Sequence, residues 1–129
     1  MIRMNETWIK RCLIATGLAT STTLLAALAP TMALQSSFGA TITDPLGAVV
    51  VRSWGLLIGL IGGMLVYAAF RPAVRTLVIS VALVSKIGFL GIILRYGQAF
   101  FPQIAPTFAF DLLASGILGA SLFASWQLR

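Results

Sequence analysis

Three ionisable side chains, Arg52, Lys86 and Asp111, interrupt otherwise apolar stretches of this sequence. A charge at the centre of a membrane-spanning helix costs about 2.5 to 3.5 kcal/mol on insertion scales, so such residues are paired or functional. At about 1.5 Å per residue, they lie roughly 9, 12 and 6 Å inside the outer ends of their predicted helices. We expect Asp111 to pair with one of the two cations. The other is then free to bind a lipid phosphate, a carboxylate headgroup or an acidic partner side chain.

The spacing of small residues predicts the direction of Arg52. It is followed near helical spacing by Gly55, Gly59, Gly62 and Gly63, and three of these, at 55, 59 and 63, form two overlapping Gly-xxx-Gly units. Such units let two helix backbones approach closely inside a membrane. Arg52 is therefore expected on the packed face of the second span.

The direction of Asp111 follows from a second set of small residues. Asp111 shares a helix face with Ser115 and Gly119, which are small enough to admit a neighbouring helix. The expected consequence is a sheltered Arg52–Asp111 salt bridge between the second and fourth spans. Lys86 lies on a bulky apolar face, which favours extension of its amine to the outer headgroups.

Several chemistries lack their residues. Histidine is absent and Cys12 is the single cysteine, so haem ligation by histidine, a histidine metal site and a paired-thiol redox exchange are excluded. No metal or cofactor is predicted. The cations are dispersed along the chain without a basic patch interleaved with aromatics, so nucleic-acid binding is not predicted either.

The elements that position these residues are membrane helices. Of the 129 residues, 59% are hydrophobic and 9% are charged, and the mean hydropathy is +1.00, whereas soluble domains carry about 25% charged residues. A spanning helix needs roughly 20 residues, and the apolar stretches predict four spans in a single domain, 1–129. The spans cover residues 12–34, 46–70, 73–94 and 107–128. The first resembles a signal peptide but is long enough to be a retained span.

The fold class predicted from these spans is an all-α integral membrane protein, an antiparallel four-helix bundle with short connections. Residues 95–106 are apolar but too short to cross and are expected to lie along the interface. With a cytoplasmic N-terminus, six cations fall on the cytoplasmic side and one, Arg95, on the other. Both termini are therefore predicted to be cytoplasmic. The six are Arg3, Lys10, Arg11, Arg71, Arg75 and Arg129.

Part of the second and third spans resembles small bacterial four-span proteins of the DoxX-like kind. The resemblance rests on residues 52–57 (RSWGLL), residues 67–72 (YAAFRP), and Ser85 with Lys86. It implies a compact multi-pass protein of the bacterial inner membrane, sometimes an accessory component of a respiratory or oxidoreductase system. No catalytic residue carries over from it.

Three hypotheses for function follow. The leading one is a non-enzymatic accessory subunit or lipid-headgroup binder, whose ligand or partner site consists of Arg52, Trp54, Lys86 and Asp111. Trp54 serves there as a pocket wall or a membrane anchor. Its partners would be membrane lipids, other membrane-complex subunits or a second copy of the chain. The alternatives are a small proton-coupled exporter using Asp111, and an intramembrane lipid-modifying enzyme with acid–base chemistry at Asp111 or Lys86.

Overall fold

The computed structural model describes residues 6–39 and 43–127, and these ranges are almost entirely helical, without a strand. Single turns of 3₁₀-helix, Pro72–Val74 and Gln98–Phe100, precede the last two of six α-helices. Arg3 and Arg129, on which part of the predicted orientation rests, lie outside the described residues. The six helices are α1 Glu6–Ser21, α2 Leu24–Leu28, α3 Pro30–Phe38, α4 Pro45–Phe70, α5 Arg75–Tyr96 and α6 Phe101–Gln127.

Four helical segments are long and apolar enough to cross a membrane, which confirms the all-α class and the number of apolar helices. They cover Glu6–Leu28, Pro45–Phe70, Pro72–Tyr96 and Gln98–Trp126. The second and third agree closely with the predicted spans. The first and fourth both begin earlier in the chain than the apolar pattern indicated.

The first segment contains one turn, and a second break in the helix follows its end. Thr22 and Thr23 form a turn between α1 and α2, and their hydroxyls donate to the carbonyls of Ala19 and Thr20 at 2.6 and 2.9 Å. Pro30 then begins α3, because proline lacks the N–H group that would continue the helix but suits a first helical position. The first span, predicted to reach residue 34, therefore ends at Leu28, and residues 30–34 belong to a separate short helix.

The last helix is longer than predicted. α6 begins at Phe101 and continues through Pro106, so part of the segment expected to lie along the interface is helical and continuous with the fourth span. The connection from α5 shortens to Gly97, whose N–H donates to the Ile93 carbonyl at 2.9 Å, and one 3₁₀ turn. This earlier start places Asp111 deeper within its helix.

The first segment packs against α4 through glycine. A Cβ atom added to Gly17 would lie 2.7 Å from the Gly62 carbonyl oxygen, and one added to Gly62 would lie 2.7 Å from the Gly17 oxygen. Toward the start of α4, a Cβ atom on Gly55 would lie 2.6 Å from the Thr23 oxygen. Since rising numbers in α4 meet falling numbers in α1 and α2, the two segments run in opposite directions.

The glycine prediction for α4 holds in part. Gly55 and Gly59 are buried against α2, and the next buried glycine is Gly62, not Gly63. At 3.6 residues per turn, 55, 59 and 62 follow one face of the helix more closely than 55, 59 and 63. Gly63 in α4 and Gly119 in α6 have open space at the Cβ position within the described chain.

The remaining contacts between helices arrange the four long segments in a ring. α5 packs on α4 and on α6, and α6 packs on α1. The start of α1 lies beside the α4–α5 turn, where Lys10 Nζ is 4.5 Å from the centre of the Phe70 ring. At the other end, the Phe38 and Phe100 rings meet edge to face at 6.0 Å, so α3 lies beside the α5–α6 connection. Buried apolar residues fill the ring: Ile9, Leu13, Leu65, Ala68, Ala69, Val78, Ile79, Ala82, Leu118 and Ala124.

Candidate functional site

A buried ion pair joins α5 and α6. Lys86 Nζ donates to Asp111 Oδ1 at 3.1 Å, and the two side chains are only 7% and 14% exposed. Lys86 also lies 5.6 Å from the centre of the Phe110 ring, a cation–π contact. Among the cations of the described residues, the one that neutralises Asp111 is therefore Lys86. The expectation that Lys86 extends to the outer headgroups is wrong.

The depth of the two residues explains their pairing. Lys86 precedes the end of α5 at Tyr96 by ten residues, and Asp111 follows the start of α6 at Phe101 by ten residues. At about 1.5 Å per residue, both lie roughly 15 Å from the end at which α5 and α6 are connected. Each charge lies near the middle of an apolar helix, where an unpaired charge is most costly.

The pair is incompletely hydrogen-bonded. A lysine ammonium has three N–H donors and a carboxylate has two acceptor oxygens. Among the described residues, Lys86 donates one hydrogen bond, to Oδ1, and the Asp111 side chain accepts only that one. Two N–H groups and the second carboxylate oxygen therefore have no partner among the described residues.

These unused groups border a central cavity, a space of about 800 Å³ that is lined by residues of all six helices and is partly open to the outside of the bundle. Its walls are mainly apolar, with aromatic surface from Trp54 and Phe89, and Lys86 and Asp111 are the charged residues in its lining. This volume falls within the roughly 300 to 1,000 Å³ typical of small-molecule sites. Trp54 is half-buried in the wall, which agrees with its predicted role in a pocket.

Thr20, on α1, adds an unpaired hydroxyl to the same cavity. It is 4% exposed, and its Oγ1 atom is the buried side-chain polar atom without a hydrogen-bond partner in the part of the chain that the structure describes. Nearby hydroxyls donate to their own helix: Thr16 to the Cys12 carbonyl at 2.7 Å and Ser21 to the Gly17 carbonyl at 2.8 Å. The oxygen itself has almost no accessible surface, so a polar group inside the cavity reaches it only after a small side-chain shift.

Arg52 lies at a different place. Its Nη1 donates to the Ala27 carbonyl oxygen at 2.6 Å, near the end of α2, where the break before Pro30 leaves carbonyls without helical partners. The expected Arg52–Asp111 salt bridge is wrong. The side chain instead borders a second recess of about 620 Å³ beside the α2–α3 break, which shares Ala29, Met32 and Ser36 with the central cavity.

The small residues near Asp111 are used within α6. Ser115 Oγ donates to the Asp111 backbone carbonyl at 2.8 Å, so its hydroxyl is not directed at a ligand. Asp111 points toward α5, where its partner is Lys86, and not toward the second span as the expected Arg52 salt bridge required.

Sequence reasoning missed a second ion pair, between Glu6 and Arg75. Arg75 is 2% exposed, and its Nη1 and Nη2 donate to the two carboxylate oxygens of Glu6. Its Nε and Nη2 also donate to the Ala68 and Ala69 carbonyls at 2.9 and 2.7 Å, in the last turn of α4. An arginine within a few residues of a helix end is the available signal, because the last carbonyls of a helix lack intrahelical donors.

The arrangement around the central cavity suits binding more than acid–base catalysis. One amine and one carboxylate neutralise each other there, and no group of three histidine, cysteine, aspartate or glutamate side chains that could hold a metal occurs in residues 6–39 and 43–127. Comparison with protein-family models, curated proteins and solved structures finds no match for this chain. The DoxX-like resemblance stays a prediction.

Proposed function

We propose that this protein is a multi-pass protein of the bacterial inner membrane, an antiparallel bundle of four spans with both termini in the cytoplasm. The four apolar helices support it, as does the opposite direction of α4 relative to α1 and α2. Lys10, Arg11, Arg71 and Arg75 occur at the α1 start and the α4–α5 turn, which lie together, as the positive-inside rule requires of a cytoplasmic end.

Within that architecture, we propose a non-enzymatic function, the binding of an amphipathic lipid in the central cavity. One observation carries this proposal: a buried, incompletely hydrogen-bonded Lys86–Asp111 pair lies in the wall of a largely apolar cavity of about 800 Å³. Apolar walls accept an acyl chain, and a few convergent polar groups orient a headgroup, which is the usual composition of a ligand site.

A cavity-filling substitution tests the proposal. Gly88 borders the central cavity, Gly91 lies on the same helix outside its lining, and both have open space at the Cβ position. Leucine at position 88 therefore fills the cavity without a backbone clash, and Gly91→Leu makes the same chemical change elsewhere. Both variants also gain helix propensity of about 1 kcal/mol, which keeps their folding comparable.

The full chain and both variants are purified in native nanodiscs, and bound lipids are counted by native mass spectrometry and lipid extraction. We expect a retained amphiphile in the unmodified protein and in Gly91→Leu, and at least about a tenfold loss of occupancy in Gly88→Leu. Equal occupancy in all three proteins contradicts the proposal. Recovery of a stoichiometric protein subunit with an empty cavity replaces it by the accessory-subunit hypothesis.

A further inference from the structure

We infer that the central cavity selects a single-chain amphiphile whose head is electrically neutral and carries both hydrogen-bond donors and acceptors, such as hydroxyl or amide groups. This inference rests on the proposed function and names the chemical class of its ligand. It follows from three properties of the cavity: its charge balance, its unused hydrogen-bonding groups and its volume.

The charge balance excludes a charged head. Lys86 and Asp111 are the two charged residues of the lining, and they neutralise each other at 3.1 Å. A phosphate or carboxylate brought to this depth would meet the Asp111 carboxylate as well as the Lys86 ammonium, and an amine would meet the reverse. Neither charge would be compensated in a site of low dielectric constant, where an unpaired ion is costly.

The unused hydrogen-bonding groups require a head of mixed character. Lys86 offers two N–H donors, Asp111 one acceptor oxygen, and Thr20 a hydroxyl that both donates and accepts. A hydroxyl or amide head supplies an acceptor to the ammonium and a donor to the carboxylate while the ion pair stays intact. Hydrogen bonds to charged groups are the stronger kind, so the gain from such a head is substantial.

The cavity volume limits the tail. About 800 Å³ lies in the range of sites for small molecules, which favours one acyl chain with a compact head over a complete two-chain phospholipid. The remaining lining is largely apolar and reaches from Ile61 and Ala82 to Met32 and Ser36. A single chain therefore has a continuous apolar path beside the polar pair.

Three probes with the same oleoyl-type tail separate the head classes: monooleoylglycerol, oleate and oleylamine. Binding to the purified full chain is measured in detergent, with residual lipid kept too dilute to compete with the probes. The two readouts are native mass spectrometry and displacement of a fluorescent acyl probe. We expect monooleoylglycerol to bind at least about tenfold more tightly than either charged probe. Tighter binding of oleate or oleylamine overturns the inference, whereas failure of all three to bind overturns the proposed function itself.

Substitution of the charged residues tests the same inference through a change in ligand preference, which a general loss of folding would not produce. Asp111→Asn leaves the Lys86 charge unpaired and is expected to shift preference to oleate, and Lys86→Met leaves the Asp111 charge and is expected to shift it to oleylamine. Arg95→Met, an exposed cation of α5 outside the lining, is expected to leave the preference unchanged.

If either single variant fails to fold, the double variant Lys86→Met with Asp111→Leu replaces it. This double variant removes both charges with little change in side-chain volume. Its affinities for the three probes are expected to lie within about threefold of one another. An unchanged preference for monooleoylglycerol in the double variant contradicts the assignment of the pair as the selecting element.

Discussion

Two ion pairs join helices in the described part of this protein, and they differ in how completely their hydrogen-bonding groups are used. At the α4–α5 turn, Arg75 makes four hydrogen bonds, two to Glu6 and two to the last carbonyls of α4. Midway along α5 and α6, Lys86 makes one hydrogen bond, to Asp111. Arg75 thus uses four of its five N–H donors within the protein, whereas Lys86 uses one of three.

This difference separates a structural role from a binding role. The bidentate Arg75–Glu6 contact fixes the geometry of both side chains, and the donors on the α4 carbonyls satisfy a helix terminus. Arg75 also lines neither the central cavity nor the recess beside Arg52. The Lys86–Asp111 pair has unused donors and an unused acceptor beside a cavity, together with the unpaired Thr20 hydroxyl. The two cations are similarly buried, at 2% and 7% exposed, so burial of the cation does not distinguish the pairs, but the count of its unused N–H donors does.

The largest expected effect on stability comes from removing Arg75. Arg75→Met leaves the Glu6 carboxylate and two α4 carbonyls without their donor, and we expect the free energy of unfolding to fall by about 3 kcal/mol. The measurement is unfolding of the full chain in mixed micelles titrated with a denaturing detergent. Lipid occupancy of the folded fraction is expected to stay unchanged, because Arg75 does not line the cavity.

The matched control is Arg71→Met, a neighbouring exposed arginine whose guanidinium lies 5.8 Å from the centre of the Tyr67 ring. We expect a loss of no more than about 1 kcal/mol there, the size of an exposed cation–π contact. Equal losses in the two variants would remove the structural role assigned to Arg75.

The second effect concerns the cavity pair. Lys86→Met is expected to lower the free energy of unfolding by about 2 kcal/mol, because it leaves a buried carboxylate without its counter-ion. The double variant Lys86→Met with Asp111→Leu is expected to return to within about 1 kcal/mol of the unmodified protein. A double variant as unstable as the single one would make this pair structural, like that of Arg75, and would erase the contrast between the two.

The helices themselves follow from hydropathy, whereas the partner of Asp111 does not. Apolar runs of about 20 residues define spans even where a single charge interrupts them, so four helices were predictable. The pairing depends on where α6 begins. The fourth span was predicted to begin at residue 107, which placed Asp111 about 6 Å deep, but α6 begins at Phe101 and brings Asp111 to the depth of Lys86, roughly 15 Å.

Side-chain hydrogen bonding is the other part that sequence pattern leaves open. Thr16, Thr20 and Ser21 have similar surroundings in the sequence, and helical periodicity places all of them in α1, but it does not say which hydroxyl lacks a partner. The same holds for Arg52, whose contact with the Ala27 carbonyl depends on the break before Pro30 and on the close approach of α2 to α4 at Gly55.

The smallest effect on stability, and the sharpest separation of binding from folding, is expected at Thr20. Valine has nearly the same shape as threonine, and the Thr20 hydroxyl has no protein partner to lose. We therefore expect Thr20→Val to change the free energy of unfolding by less than about 0.5 kcal/mol. Affinity for monooleoylglycerol is expected to fall about fivefold, the loss of one neutral hydrogen bond.

Thr16→Val is the matched control, since Thr16 is a buried threonine of the same helix whose hydroxyl already donates to the Cys12 carbonyl at 2.7 Å. That variant is expected to lose up to about 1 kcal/mol of stability and to keep its affinity for the probe. If the Thr20 hydroxyl binds a ligand, Thr20→Val loses probe affinity and keeps its stability, whereas Thr16→Val loses stability and keeps its probe affinity. Unchanged affinity in Thr20→Val would show that the cavity holds its ligand without that hydroxyl and would leave selection to the Lys86–Asp111 pair alone.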